Sequence, residues 1–286
     1  MRLRTLLLLC GLLTATICTA GSPAAVRRQA ESSLQVTGNI DISVDGKVVG
    51  YTLDNPEKLP KGIVDMVARI APHWAFEPAA LGGKAVSRSR MTLQFVAKKQ
   101  QDGTLTVALR SGSFDNPSPE SRPSIDRRGF HKPNYPITAL QGVMVSGIVY
   151  VVVRYDRAGN LVDVDAERVD LRVIGSEAQM TRWRDVLARN TLSAVKYWKL
   201  VVPDGALPQG ETHGTGRIPV AYTVDEDDTT GRPPYGRWET YIPGPQKLIP
   251  WWSATPMAAT APDTLAPGAF HDSGTGRRLL TPLDGG

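Results

Sequence analysis

Apolar and polar positions begin to alternate at Gly38, where Ile40, Ile42 and Val44 are separated by Asp41 and Ser43. Period two marks a half-buried strand. Asp45-Gly46 supplies a turn, and Lys47 to Tyr51 returns as a second strand. Pro60 then fits the first turn of a helix, where its missing N–H costs nothing. Ile63, Met66, Val67, Ile70 and Trp74 form one apolar helical face. That helix exits through Trp74-Ala75-Phe76-Glu77-Pro78, and Met91, Leu93, Phe95 and Ala97 alternate in a third strand. Thr104 to Leu109 adds a hairpin extension.

The pattern returns after residue 134. A short helical run is expected at Ile137–Leu140, after Asn134-Tyr135-Pro136. Ile148 to Tyr155 is apolar on both faces apart from Arg154, which predicts a central strand. Leu161 to Val164 pairs back after the Gly159 turn, and residues 165–175 show no clear period. Ser176 with Gln179 forms a capping box that starts a helix. Its face runs through Trp183, Val186, Leu187, Thr191, Ala194, Val195 and Trp198, and Pro203 follows the exit. Arg217 to Val224 closes the unit.

The two halves therefore share an order: hairpin, helix ending in Trp, proline, glycine turn, strand. The implied class is α+β, with two small modules, each an antiparallel sheet packed on one or two helices. The expected boundaries are a leader at 1–20, a first module at 36–110, a Pro/Ser-rich linker at 111–133 and a second module at 134–224. Residues 21–35 read as a lead-in with little structure. Residues 225–286 read as a largely disordered tail rich in Pro and Gly, with Ile249-Pro250-Trp251-Trp252 resting on a domain surface.

Composition narrows the function. The chain has 286 residues, 41% of them hydrophobic, with a net charge of +5. Met1-Arg2-Leu3-Arg4, an apolar run to Cys18 and Thr19-Ala20-Gly21 form a secretory signal cut after Ala20. The alternative is an uncleaved inner-membrane anchor. Without Arg2 and Arg4 the 33 basic residues fall to 31, against 28 acidic ones. That balance, without a cluster, does not suit nucleic acid or a membrane surface. Both cysteines, Cys10 and Cys18, lie in the leader, so the mature chain would hold no disulfide or thiolate. Export without disulfides fits a bacterial periplasm.

The residues of chemistry are scattered. His73, His131, His213 and His271 show no metal-binding spacing. Asp163, Asp165, Glu167 and Asp170 lack the glycine and closing glutamate of a calcium loop, and read as a solvated strand edge. Asp225–Asp228 reads as a solvated strand exit. No catalytic motif, metal site or cofactor site emerges, and the expectation is a protein that is not an enzyme. Trp74 and Trp198 are expected in the core.

These landmarks carry a resemblance. Tyr135-Pro136, Gly142 and Gly147, Tyr155-Asp156 with Gly159, the helix closing on Ala194, Trp198 and Leu200, then Pro203, Gly205 and Ile218-Pro219-Val220 resemble the C-terminal domain of TonB-type energy transducers. Residues 38–97 resemble a divergent copy. The resemblance implies a periplasmic protein that contacts an envelope partner, such as a TonB-dependent outer-membrane receptor, by adding a partner segment to a sheet edge. A membrane-anchored transducer is the alternative, and a secreted hydrolase the remoter one. The expected recognition edge is the closing strand, with Arg217, Pro219, Val220, Ala221, Tyr222 and Val224.

Overall fold

Two hairpins, each followed by a helix and a returning strand, organise the computed structural model. It describes residues 21–78, 85–100, 102–115, 122–223, 234–252, 265, 267–273 and 276–284. A short helix, α1 (Pro23–Arg27), leads into strand β1 (Glu31–Ser43), and Gly46 turns the chain into β2 (Val48–Leu53). Helix α2 (Lys61–Ile70) follows, then β3 (Val86–Lys99) and β4 (Leu105–Asp115). All pairings in this sheet are antiparallel, and β1 lies between β2 and β3.

The second half opens with the short β5 (Ser124–Ile125), then the hairpin β6 (Gly147–Asp156) and β7 (Leu161–Leu171). Helix α3 (Glu177–Val195), the short β8 (Leu200–Val201) and β9 (His213–Tyr222) complete it. Central β6 pairs antiparallel with β7 on one side and β9 on the other. The capping box at the head of α3 is present: Gln179 N donates to Ser176 Oγ, and Ser176 N donates to Gln179 Oε1.

Each helix covers one face of its sheet. Leu34, Val36, Ile40 and Ile42 of β1 meet Ile63 and Val67 of α2, with Trp74 and Phe76, in one core. Val149, Val151, Val153 and Tyr155 of β6 meet Trp183, Leu187 and Val195 of α3, with Trp198, in the other. Burying each such side chain stabilises by roughly 1.5–3 kcal/mol before chain entropy is counted. Trp74 and Trp198 are core residues, 1% and 4% exposed.

The repetition extends to single hydrogen bonds. Phe76 N donates to Gly46 O at 2.8 Å, and Leu200 N donates to Gly159 O at 2.8 Å. Both turn glycines have positive φ, +83° and +80°, and a Cβ on either would collide with the carbonyl it faces, Phe76 O or Leu200 O. Each exit tryptophan donates its indole N–H to a backbone carbonyl at 3.0 Å, Trp74 to Leu283 and Trp198 to His131.

Several boundaries differ from the sequence expectation. The lead-in is not unstructured: β1 starts at Glu31, and Val26 of α1 is buried in the second core. The described parts of the supposed linker belong to both halves, since β4 runs to Asp115, β5 pairs with β8, and Phe130 packs on Trp198 at 4.6 Å between ring centroids, while residues 116–121 lie outside the described residues. Residues 137–142 form turns rather than a helical run, with Leu140 N donating to Pro136 O and Gly142 N to Ile137 O. Strand β7 continues to Leu171, through the stretch without a clear period.

The tail departs furthest from expectation. Its described segments are ordered on the two sheets. Strand β10 (Glu239–Tyr241) pairs with the start of β1, beside β2 on the same edge. Ile242 exchanges backbone bonds with Leu171 of β7, and Lys247 N donates to Glu167 O. Strand β11 (His271–Asp272) pairs with β9. Arg277 N donates to Phe114 O, Leu280 N to Ala75 O, and Leu279 and Leu283 pack on the first core. Residues 249–252 do rest on a domain surface, with Ile249 and Trp252 against Val152 of β6. Among the described residues no helix is long and apolar enough to cross a membrane. The leader expected at 1–20 lies outside the described residues.

Candidate functional site

Strand β9 lies between central β6 and the two-residue β11 of the tail, and its alternation decides what it can offer a partner. Gly214, Gly216, Ile218, Val220 and Tyr222 face the helix-side core, opposite Tyr155, Val153, Val151, Val149 and Gly147 of β6. Thr215 and Pro219 turn their carbonyls outward, to Ser273 N at 2.9 Å and Gly268 N at 2.8 Å. In a regular strand the N–H and C=O of one residue point to the same neighbour. Arg217 and Ala221, which alternate with them, therefore also present their backbone groups to the outer edge. Pro219 belongs to this set, so the one N–H that the strand lacks would have pointed away from β6.

The six expected edge residues thus divide. Arg217, Pro219 and Ala221 carry the outward backbone. Val220 and Tyr222 have their side chains in the core, 5% and 4% exposed, and their backbone toward β6. Tyr222 OH accepts from Asn190 Nδ2 at 2.8 Å and lies 2.9 Å from Thr191 Oγ1. Burial raises the Tyr222 phenol above its ordinary pKa, and the bonds to Thr191 and Asn190 offset part of the rise. Val224 lies outside the described residues.

The side chain of Arg217 is committed on the other face. Its Nε and Nη2 donate to Glu167 Oε2 and Oε1 of β7, at 2.7 and 2.9 Å. Trp252 covers the guanidinium at 4.9 Å from its ring centroid, and Gln246 Nε2 donates to Glu167 Oε1 at 2.6 Å. The remaining carboxylates of the run are paired as well: Asp163 with Arg154, Asp165 with Lys247 and Asp170 with Arg168. The expected solvated edge is instead a row of ion pairs, and Glu167 and Asp170 are buried. The four-acid run at 225–228 lies outside the described residues.

Sequence reasoning missed what already occupies the outer edge. Residues 268–273 lie along Thr215–Pro219, in register His271 opposite Arg217 and Asp272 opposite Gly216. The Phe270 ring sits over Gly216, where any Cβ would collide with it, and meets Tyr155 edge-on at 5.4 Å. Tyr155 OH donates to Asp272 Oδ1 at 3.3 Å. Burial, with the Asp272 carboxylate beside it, pushes the Tyr155 phenol well above its ordinary value of 10.0. The available signal was Gly214-Thr215-Gly216, since glycines inside a strand mark a close approach.

A second feature lies between the two sheets. The faces turned away from the helices bound a cavity of about 360 Å³, with Gln35 and Gln94 on one side, Ile148 and Tyr150 on the other, and Tyr235 and Glu239 of the tail at its margin. Gln94 is 4% exposed and its carbonyl oxygen has no hydrogen-bond partner. At the rim Arg172 donates to Glu239 at 3.0 Å, and Asp170 pairs with Arg168. Among the described residues no group of three or more His, Cys, Asp and Glu is placed to hold a metal ion. Comparison with known proteins returns no match from family models, curated proteins or solved structures.

Proposed function

We propose that the chain is an exported binding protein without catalytic activity, built from two TonB C-terminal-like modules. In this reading it engages an envelope protein by strand pairing at β9, and the partner class is a TonB-dependent outer-membrane receptor. The observation that carries the reading is the doubled hairpin–helix–strand unit, whose second closing strand turns the backbone of Thr215, Arg217, Pro219 and Ala221 outward and already accepts a short strand of the tail along Thr215–Pro219. Outward N–H and C=O groups are what an extended peptide pairs with. The place of action is the periplasm, reached through a leader cleaved after Ala20.

The test is crosslinking in cells followed by capture of the chain from envelope extracts, with Ala221→Pro as the variant. Proline there removes an outward N–H and spares the ladder to β6. The expected result is capture of a receptor or transport component that Ala221→Pro weakens. Capture of no such component, or capture indifferent to the variant, overturns the proposal. A mature N-terminus at Gly21 is expected, and a chain that retains Met1 counts against the periplasmic placement.

A further inference from the structure

We infer that residues 268–273 are a resident ligand of the β9 edge, and that the partner competing with them is an extended peptide carrying an aromatic side chain two positions before a carboxylate. The partner half of this inference rests on the strand-pairing reading. The resident half rests on contacts alone.

Backbone and side chains agree on one register. Gly268 N donates to Pro219 O, and Ser273 N donates to Thr215 O. Ser273 Oγ also donates to Thr215 O at 2.8 Å, and Arg127 Nη2 donates to Gly268 O at 3.3 Å. Between these anchors Phe270 and Asp272 share the helix-side face, two residues apart. The missing side chains at Gly214 and Gly216 leave a slot, in which the Tyr155 ring lies against the first and the Phe270 ring against the second. The Tyr155 hydroxyl then reads the Asp272 carboxylate. Main-chain bonds give such an edge its affinity, and pockets for alternate side chains give it its selectivity. The slot admits a ring at one position and an acceptor two residues later.

The resident strand is also displaceable. It spans two ladder positions, whereas β6 holds the opposite edge of β9 through ten. A longer strand adds bonds at Ala221. The resident has the advantage of being tethered, which raises its effective concentration and keeps a weak incoming peptide out.

The probe is a synthetic labelled peptide with the sequence of residues 267–273, titrated into the full chain by fluorescence anisotropy. Wild type is expected to bind it weakly, and Phe270→Ala to bind it at least tenfold more tightly. Ser273→Pro, which removes one anchoring N–H and leaves the ring, is expected to act in the same direction. It serves if Phe270→Ala does not fold, as judged by circular dichroism. A peptide with alanine in place of the phenylalanine should bind either variant at least tenfold less tightly. Equal binding by wild type and both variants, or equal binding of the two peptides, overturns the inference. Tight peptide binding without capture of an envelope protein overturns the proposed function and the partner half that rests on it, and leaves the resident half standing. Capture of an envelope component that Phe270→Ala fails to strengthen overturns this inference alone.

Discussion

Arg217 and Glu167 face each other across central β6 with two parallel hydrogen bonds, at 2.7 and 2.9 Å, and both side chains are almost fully buried, 7% and 2% exposed. A buried pair of this kind gains little over apolar packing, but removal of one partner strands the other. Glu167→Met or Arg217→Met is therefore expected to destabilise the chain by about 3–5 kcal/mol, and the double replacement Glu167→Met with Arg217→Met by much less. Urea denaturation of the singles and the double decides it, and additive losses would contradict the pairing.

Gly46 and Gly159 hold equivalent places in the two halves, so alanine should injure both alike. Left-handed backbone costs a side chain about 1–2 kcal/mol. The collision with Phe76 O or Leu200 O also breaks a hydrogen bond worth about 1 kcal/mol. Losses of about 2–3 kcal/mol are expected at each site. Gly205 has φ +80° with nothing near its absent Cβ, and Gly205→Ala should show the backbone cost alone. Equal loss at all three positions would mean that the collisions relax freely.

Acid stability should depend on Glu31. Burial raises its carboxyl, but the Arg110 guanidinium, the Tyr241 hydroxyl and Lys98 more than reverse this, and the folded pKa lies below the ordinary 4.5. A depressed carboxylate stabilises the fold above its unfolded pKa, and that stability is lost as pH falls through the folded one. Glu31→Gln should lower stability at neutral pH and flatten the decline below about pH 4.5. Parallel curves for wild type and variant would exclude the linkage.

The alkaline limb should report Tyr155. Its phenol is raised, so the unfolded chain ionises first as pH climbs through 10.0. The stabilisation is complete below that value and drains away above it. Tyr155→Phe should make the loss between about pH 9 and pH 11 shallower. Thermal melts across that range measure it, and an unchanged slope would rule out a Tyr155 contribution.

The sequence carried the hairpins, the helices and the exit tryptophans because each has one wet face and one dry face. Strand β1 was read too short for the opposite reason. Leu34 and Val36 continue the alternation of Ile40 and Ile42, but their polar neighbours Ser33 and Gln35 line an internal cavity rather than open solvent. The tail was illegible because its anchors are single residues, such as Ile242, Phe270 and Leu279, each filling a place set by strands far away in the chain. Composition averages over such anchors. The edge at β9 was recognisable as a strand, while its occupancy by residues 268–273 depends on pairing across some fifty residues, as the Thr215–Ser273 bond shows with a separation of 58.

The interlocking of the halves also sets an order of events during synthesis. The Trp74 indole waits for the Leu283 carbonyl, 209 residues later, and Glu31 waits for the Tyr241 hydroxyl, 210 residues later. Val26, made before either core, belongs to the second. The amino-terminal half therefore cannot reach its final packing before residues 276–284 are available to dock. Long sequence separations of this kind slow the search for the native state. Chaperone dependence should track the tail, since the last strand edges are sealed only when it docks.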